Sequence, residues 1–204
     1  YHSIENIGII GIGIAVGMLG LAYGNPIVAA LGFAGGILHV LNHSIFKELL
    51  FFAAGSVYLK THTRNIEALG GLIKSMPYTA LMFIVGSVAI CGLPPFNGFI
   101  SEFLIYSGMV VGVPASEMNL FLALVFAIAG LAMVGTMAIL CFTKASGIMF
   151  LGNPRSEKAE QVKGDVSKVM IIPMGILALS TLLIGMFPQY IIGSVILPAS
   201  MFVK

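Results

Sequence analysis

The chain has 204 residues, of which 58% are hydrophobic and only 9% charged, and its formal net charge is +2. A soluble domain averages about 25% charged residues, so a chain this poor in charge cannot cover a water-facing surface and its solvent is expected to be lipid. The small positive charge is spread over loops, which excludes nucleic acid as an expected partner. Cys91 and Cys141 both lie in apolar runs and read as small buried hydrophobes rather than a disulfide framework. Residue 1 is Tyr rather than Met, and no charged region precedes the first apolar run, so a piece of a longer polypeptide is expected.

The apolar runs cover 4–23, 26–58, 77–107, 119–143 and 169–188. A bilayer core about 30 Å thick needs about 20 helical residues. Three runs fit. As single helices, the second and third would reach about 50 Å and about 46 Å at 1.5 Å per residue. Each is interrupted in its middle, the second by His39, Asn42, His43, Lys47 and Glu48, the third by Pro94-Pro95 and Asn97-Gly98. Gly13-x-x-x-Gly17, Gly20-x-x-x-Gly24 and Gly32-x-x-x-Gly36 are spaced for close helix approach. Gly11-x-Gly13 is not a dinucleotide fingerprint, because Val16 occupies the third glycine position and no strand precedes it.

Two signals make 77–107 one broken span rather than two. The basic loops are 59–76 and 144–168, and a single crossing puts both on one side, as the positive-inside rule requires. Tyr78 and Tyr106 then mark its two ends, where an interfacial aromatic belt belongs. The fold class predicted is all-α: a polytopic transmembrane bundle of about five spans, one broken at Pro94-Pro95. Residues 1–190 form its membrane domain, with the basic loops cytoplasmic and 113–118 on the other side. The apolar tail 191–204 is too short to span and is expected at the interface.

His39, His43 and Lys47 stand at i, i+4 and i+8, within about 80° of one helix face, with Asn42 beside them. Polar groups in mid-membrane are costly and face a cavity or a partner. A lysine amine there can gain or lose a proton as its surroundings change, and histidine titrates near neutrality. The stripe therefore reads as a proton relay, against a set of interhelical hydrogen bonds as the plainer alternative. A zinc site on the His pair is disfavoured, since the glutamate of the zincin motif and a third ligand are missing. Glu102 follows the proline pair by about two turns. Such breaks mark ion sites in membranes, because freed backbone groups need a polar lining. Glu102 is thus a second proton site, with Pro94, Pro95 and Gly98 forming the break.

Three further candidates carry less. Glu48 lies opposite His39 on the helical wheel and faces another neighbour. Glu5 lies near the basic-loop side, where an exposed end-of-helix carboxylate costs little, and His2 and His62 read as plain interfacial residues. Lys144 ends its run and is expected to snorkel to the headgroups. No catalytic residue, metal site or cofactor site is assigned to this chain.

Ser3-Ile-Glu-Asn-Ile-Gly8, His39-Val-Leu-Asn-His-Ser-Ile-Phe-Lys47 with Ala54-Gly-Ser56, Gly70-Gly-Leu-Ile-Lys74, and Gly92-Leu-Pro-Pro-Phe-Asn-Gly-Phe-Ile-Ser-Glu102 together resemble the antiporter-like proton-pumping membrane subunits. These occur in complex I, in membrane-bound hydrogenases and in multisubunit cation/proton antiporters. The Ser-Ile-Glu-Asn start and Phe150-Leu-Gly-Asn-Pro-Arg155 look most like the hydrogenase-4 and formate hydrogenlyase branch.

The resemblance implies the latter part of a subunit of about fourteen helices, built from two inverted five-helix repeats that each hold one broken helix. It places Lys47, with His39 and His43, on the central hydrophilic axis, and Glu102 where relatives carry Lys or Glu. The family's first-half glutamate and lysine lie outside this chain. The function expected is translocation of protons, or of sodium ions, within a redox-driven complex of the inner membrane. The implied partners are other membrane subunits, a soluble redox arm reached through them, and the bilayer. A cation/proton antiporter without redox chemistry and a non-conducting anchor are the alternatives.

Overall fold

The computed structural model describes residues 2–112 and 117–201, which are mostly helical with no strand among them. The bundle follows from the hydropathy: wherever the chain crosses lipid, every backbone N–H and C=O must be satisfied within its own segment, and a helix does this. Helix α1 (His2–Ala22) turns back through Gly24 and Asn25 into α2 (Pro26–Thr61). The Asn25 side chain caps α2 by accepting from the Val28 N–H, and Pro26 occupies the first turn, where no N–H is needed. The polar residues in the middle of α2 do not break it. It runs unbroken for 36 residues, about 54 Å at 1.5 Å per residue, and ends at His62, whose N–H bonds the Tyr58 carbonyl in a left-handed cap.

A single 3-10 turn, Ile66–Ala68, leads to α3 (Pro77–Ile90) and α4 (Asn97–Gly112). At 14 and 16 residues neither spans a bilayer alone. Together, joined through 91–96, they make the one broken crossing that the sequence predicts. The long α5 (Met118–Phe150), the short α6 (Glu157–Glu160), α7 (Lys168–Met186) and α8 (Pro188–Met201) complete the chain. The loop 113–118 falls mostly outside the described residues.

Two expectations from the sequence are corrected in the second half. The helix α5 does not stop at Thr143: it continues through Lys144, which lies exposed on the outer face, to Phe150, because Phe150 and Met149 bury in the core. Cys141 is exposed on that same outer face, whereas Cys91 is buried. The tail is helical through Met201, and Ile191 and Ile192 of α8 pack on Ala34, Leu38 and Leu104.

α1 and α2 are held by backbone-to-backbone contact. A Cβ at Gly20 would overlap the Ala29 backbone, one at Gly32 the Gly17 backbone, and one at Gly13 the Gly36 backbone. Without a hydrophobic drive between helices in lipid, such contact is what holds them. Two apolar clusters flank the pair. Phe46, Leu49, Phe83, Phe150 and Met174 join α2, α3, α5 and α7. Val16, Ile105, Met109, Leu124 and Leu131 join α1, α4 and α5. Large apolar side chains also cover the outside, among them Phe126, Met133 and Leu140 on α5 and Val169, Ile176 and Leu179 on α7. Such a surface belongs in lipid or against another membrane subunit.

The two basic loops pack on each other. Backbone bonds run from Gly71 N–H to the Leu151 carbonyl at 2.9 Å and from Ile73 N–H to the Phe150 carbonyl at 3.1 Å. Arg155 donates to the Leu69 carbonyl and Ser156 to the Ala68 carbonyl. The loops therefore share one end of the bundle, which is the arrangement a single crossing of 77–107 requires.

Candidate functional site

The α2 stripe lies on the predicted face, and its residues differ in depth. His39 and Asn42 are fully buried, His43 and Lys47 are half-buried, and Glu48 points outward, as its place on the helical wheel predicts. The buried Phe46 ring stands edge-on to both imidazoles, with centroids 6.2 Å from His39 and 5.6 Å from His43.

Around His39 lies a hydrogen-bond network that joins α1, α2 and α4. Its Nε2 meets Asn6 Oδ1 at 3.0 Å and its Nδ1 meets Ser101 Oγ at 2.8 Å. The Asn42 amide donates to the Asn97 carbonyl at 2.8 Å and to Ser101 Oγ at 3.0 Å, and it accepts from the Asn97 amide at 3.1 Å. Ser101 also reaches the Gly98 carbonyl at 3.0 Å. Asn6, Asn97 and Ser101 are as deeply buried as His39. Asn6, Asn97 and Ser101 add to the site residues expected from the sequence. The available signal was their chemistry: an amide or hydroxyl inside an apolar run must find a partner there.

The break itself is built from glycine and proline. The helix α3 closes with Cys91 and Gly92 bonded back to Ser87 and Ala89. Gly92 has φ +63°, and its Cα lies so close to the Glu102 carboxylate that a Cβ there would meet Oε2 at 2.6 Å. Gly98 permits the first turn of α4 to rest on the Ala89 carbonyl. Glu102 is half-buried against this loosened backbone, and no described residue bonds its carboxylate. Two buried polar atoms nearby, His43 Nε2 and Asn97 Oδ1, have no hydrogen-bond partner among the described residues.

Lys47 has no ion-pair partner among the described residues. Its ammonium lies 5.3 Å from the Phe51 ring centre, beside a groove of about 180 Å³ lined by Leu50, Ala54, Phe83 and Phe142. The His2 ring rests on that same Phe142, with centroids 4.7 Å apart, and His2 Nδ1 is paired with the Glu5 carboxylate. Both side chains are mostly buried, at 21% and 18% exposure. This corrects the expectation that they sit plainly at the surface. Glu5 lies within electrostatic reach of Lys47, Glu102 and Cys91. Lys144 stays apart on the exposed face of α5. No group of three His, Cys, Asp or Glu among the described residues is arranged to hold a metal. Both His39 nitrogens are committed to protein partners, which leaves that ring no lone pair for a metal.

The sequence and the fold match known proteins. The family model for the NADH:quinone oxidoreductase/Mrp antiporter transmembrane region matches residues 13–131. Formate hydrogenlyase subunit 3 of Escherichia coli K12 is 44% identical over 163 residues, which is 78% of this chain and 26% of that protein. Hydrogenase-4 component B of the same organism is 38% identical over 94% of this chain and 28% of its own length. The chain thus spans about a quarter of these relatives. In architecture it superposes on a chain of the Mrp complex from Dietzia sp. DQ12-45-1b with a TM-score of 0.72 at 19% identity, covering 100% of this chain and 47% of that one. The helices, the break and the sequence match lead to one conclusion: the chain belongs to the NADH:quinone oxidoreductase/Mrp antiporter transmembrane family.

Proposed function

We propose that this chain is the latter, proton-translocating part of an antiporter-like subunit in a redox-driven complex of the cytoplasmic membrane. Lys47, His43, His39 and Glu102 act as its relay, with Glu5 and His2 at the Lys47 end. The observation that carries this reading is the juxtaposition of the Glu102 carboxylate with the Gly92 backbone at the helix break, one residue from the hydroxyl bonded to His39. Titratable groups on successive turns of α2, about 6 Å apart, then continue from that point to Lys47. Protons, or sodium ions, are the cargo. Redox chemistry belongs to partner subunits, and no cofactor is assigned here. The basic loops face the cytoplasm, as the positive-inside rule requires.

The hydrogenase branch is favoured by the 44% and 38% identities to a formate hydrogenlyase subunit and a hydrogenase-4 component. A second reading, a cation/proton antiporter without a redox arm, draws on 33% identity to an Na(+)/H(+) antiporter subunit A1 of Staphylococcus saprophyticus. Purification separates them: a redox-linked pump brings down subunits that bear metal or flavin, and an antiporter does not. The relay is tested by Lys47→Ala in the assembled complex, because no neutral side chain replaces a titratable amine. Redox-driven proton uptake into vesicles should be lost while assembly is retained. Uptake at the parent rate removes Lys47 from the path.

A further inference from the structure

We propose that the Ser101 hydroxyl is a proton-responsive positioning group. It donates to His39 Nδ1 when that ring is neutral, and it turns to the Gly98 carbonyl when Nδ1 takes a proton. This rests on the relay reading of His39 and adds a moving part to it.

Donor and acceptor accounting fixes every other bond in the network. The Asn6 amide donates to the His2 carbonyl at 2.8 Å, and a carbonyl can only accept. Asn6 Oδ1 is therefore the atom that faces His39, so Nε2 carries a hydrogen in both charge states. In the same way, the Asn42 amide donates to the Asn97 carbonyl, which orients Asn42 and makes its Nδ2 the donor to Ser101 Oγ. Ser101 thus has one hydrogen of its own and two acceptors for it, His39 Nδ1 at 2.8 Å and the Gly98 carbonyl at 3.0 Å.

Neutral His39 has a lone pair on Nδ1, and the hydroxyl donates there. When Nδ1 gains a proton it becomes a donor, Ser101 Oγ accepts from it, and the hydroxyl hydrogen swings to Gly98. The change of charge exchanges one bond for another and leaves no group unpaired. Nδ1 is the nitrogen that exchanges protons, and Nε2 is pinned. Because Gly98 belongs to the first turn after the break, the charge state of His39 is written into the broken helix one turn before Glu102. The other titratable groups on the elements packed around His39 are His2 and Glu5 on α1, His43, Lys47, Glu48, Tyr58 and Lys60 on α2, Glu102 and Tyr106 on α4, and Tyr190 on α8. None of them bonds its ring.

The test uses the full-length subunit in its assembled complex, labelled with nitrogen-15 histidine, with the His39 signals assigned by their loss in His39→Gln. Ser101→Ala should move the Nδ1 resonance to that of a nitrogen without a hydrogen bond while Nε2 stays in place. It should also slow proton translocation about a hundredfold, the low end of what a positioned proton-transfer group contributes. Ser101→Thr, which keeps a hydroxyl, should restore both. An Nδ1 resonance in Ser101→Ala that matches the parent across the range where histidine titrates overturns the proposal. If His39→Gln translocates normally, the relay reading of His39 fails, and the Nδ1 readout still decides the role of Ser101.

Discussion

Asn6 on α1 and His39 on α2 are joined by a 3.0 Å hydrogen bond across the glycine-lined seam between the two helices. The bond fixes the imidazole in rotation and in tautomer, because the Asn6 amide is itself oriented by the His2 carbonyl. Asn6→Leu would leave the Nε2 hydrogen of His39 buried without an acceptor, which costs about 1–3 kcal/mol. The expected result is a subunit less stable by that amount in denaturant unfolding, with histidine signals showing mixed tautomers. Unchanged stability would mean that the ring is held by something other than this bond.

The seam itself predicts a contrast between two glycines of one region. A Cβ at Gly32 overlaps the Gly17 backbone, whereas one at Gly8 meets nothing within 4 Å. Gly32→Ala should force α1 and α2 apart and cost about 1–3 kcal/mol, the range for overpacking a tight interior. Gly8→Ala should be neutral or slightly stabilising, as a helix interior favours alanine over glycine. Thermal unfolding in detergent compares the two directly. Equal effects would contradict the packing described here.

At the loop end of the bundle, Asp165 caps α3 from 86 residues away, accepting from the Thr79 N–H at 3.0 Å and from the Thr79 hydroxyl. It supplies what Met76, at the N-cap position, lacks: a side-chain acceptor for the first turn. Asp165→Ala should destabilise the loop end by about 1 kcal/mol and raise proteolysis between residues 151 and 167. Cysteines placed at Glu67 and Lys158, exposed positions of the two basic loops, should be labelled by an impermeant reagent from the same face of the membrane. Labelling from opposite faces would overturn the single broken crossing.

How much of this the sequence discloses depends on whether a feature is local. The His39, His43 and Lys47 face follows from helical periodicity alone, and the break follows from a proline pair that cannot continue a helix. The loops could be placed on one side because charge asymmetry is read across a membrane without any tertiary contact. The network around His39 is different in kind. Its partners lie 33 and 62 residues away, and Asn6 and Ser101 stand in glycine-rich apolar helices where small polar residues read as packing. The extension of α5 past Lys144 was hidden for a similar reason. A charged residue looks like a run end, and only the burial of Met149 and Phe150 shows that the helix goes on. Glu5 and His2 look interfacial in sequence, and it is Phe142, 140 residues away from His2, whose ring rests on the imidazole that pairs with Glu5.

The relay is tested most directly at Glu102, whose carboxylate rests on the Gly92 backbone at the break. Glu102→Gln keeps size and hydrogen bonding but cannot titrate, whereas Glu102→Asp keeps the acid and shortens its reach. The measurement is redox-driven proton uptake into vesicles for both variants, normalised to assembled complex. A relay through Glu102 predicts a loss of about a hundredfold or more with Gln and substantial activity with Asp. A helix anchor predicts that Gln is harmless, since an uncharged amide is cheaper to bury than a carboxylate. Parent-level uptake with Glu102→Gln would contradict the assignment of Glu102 to the proton path.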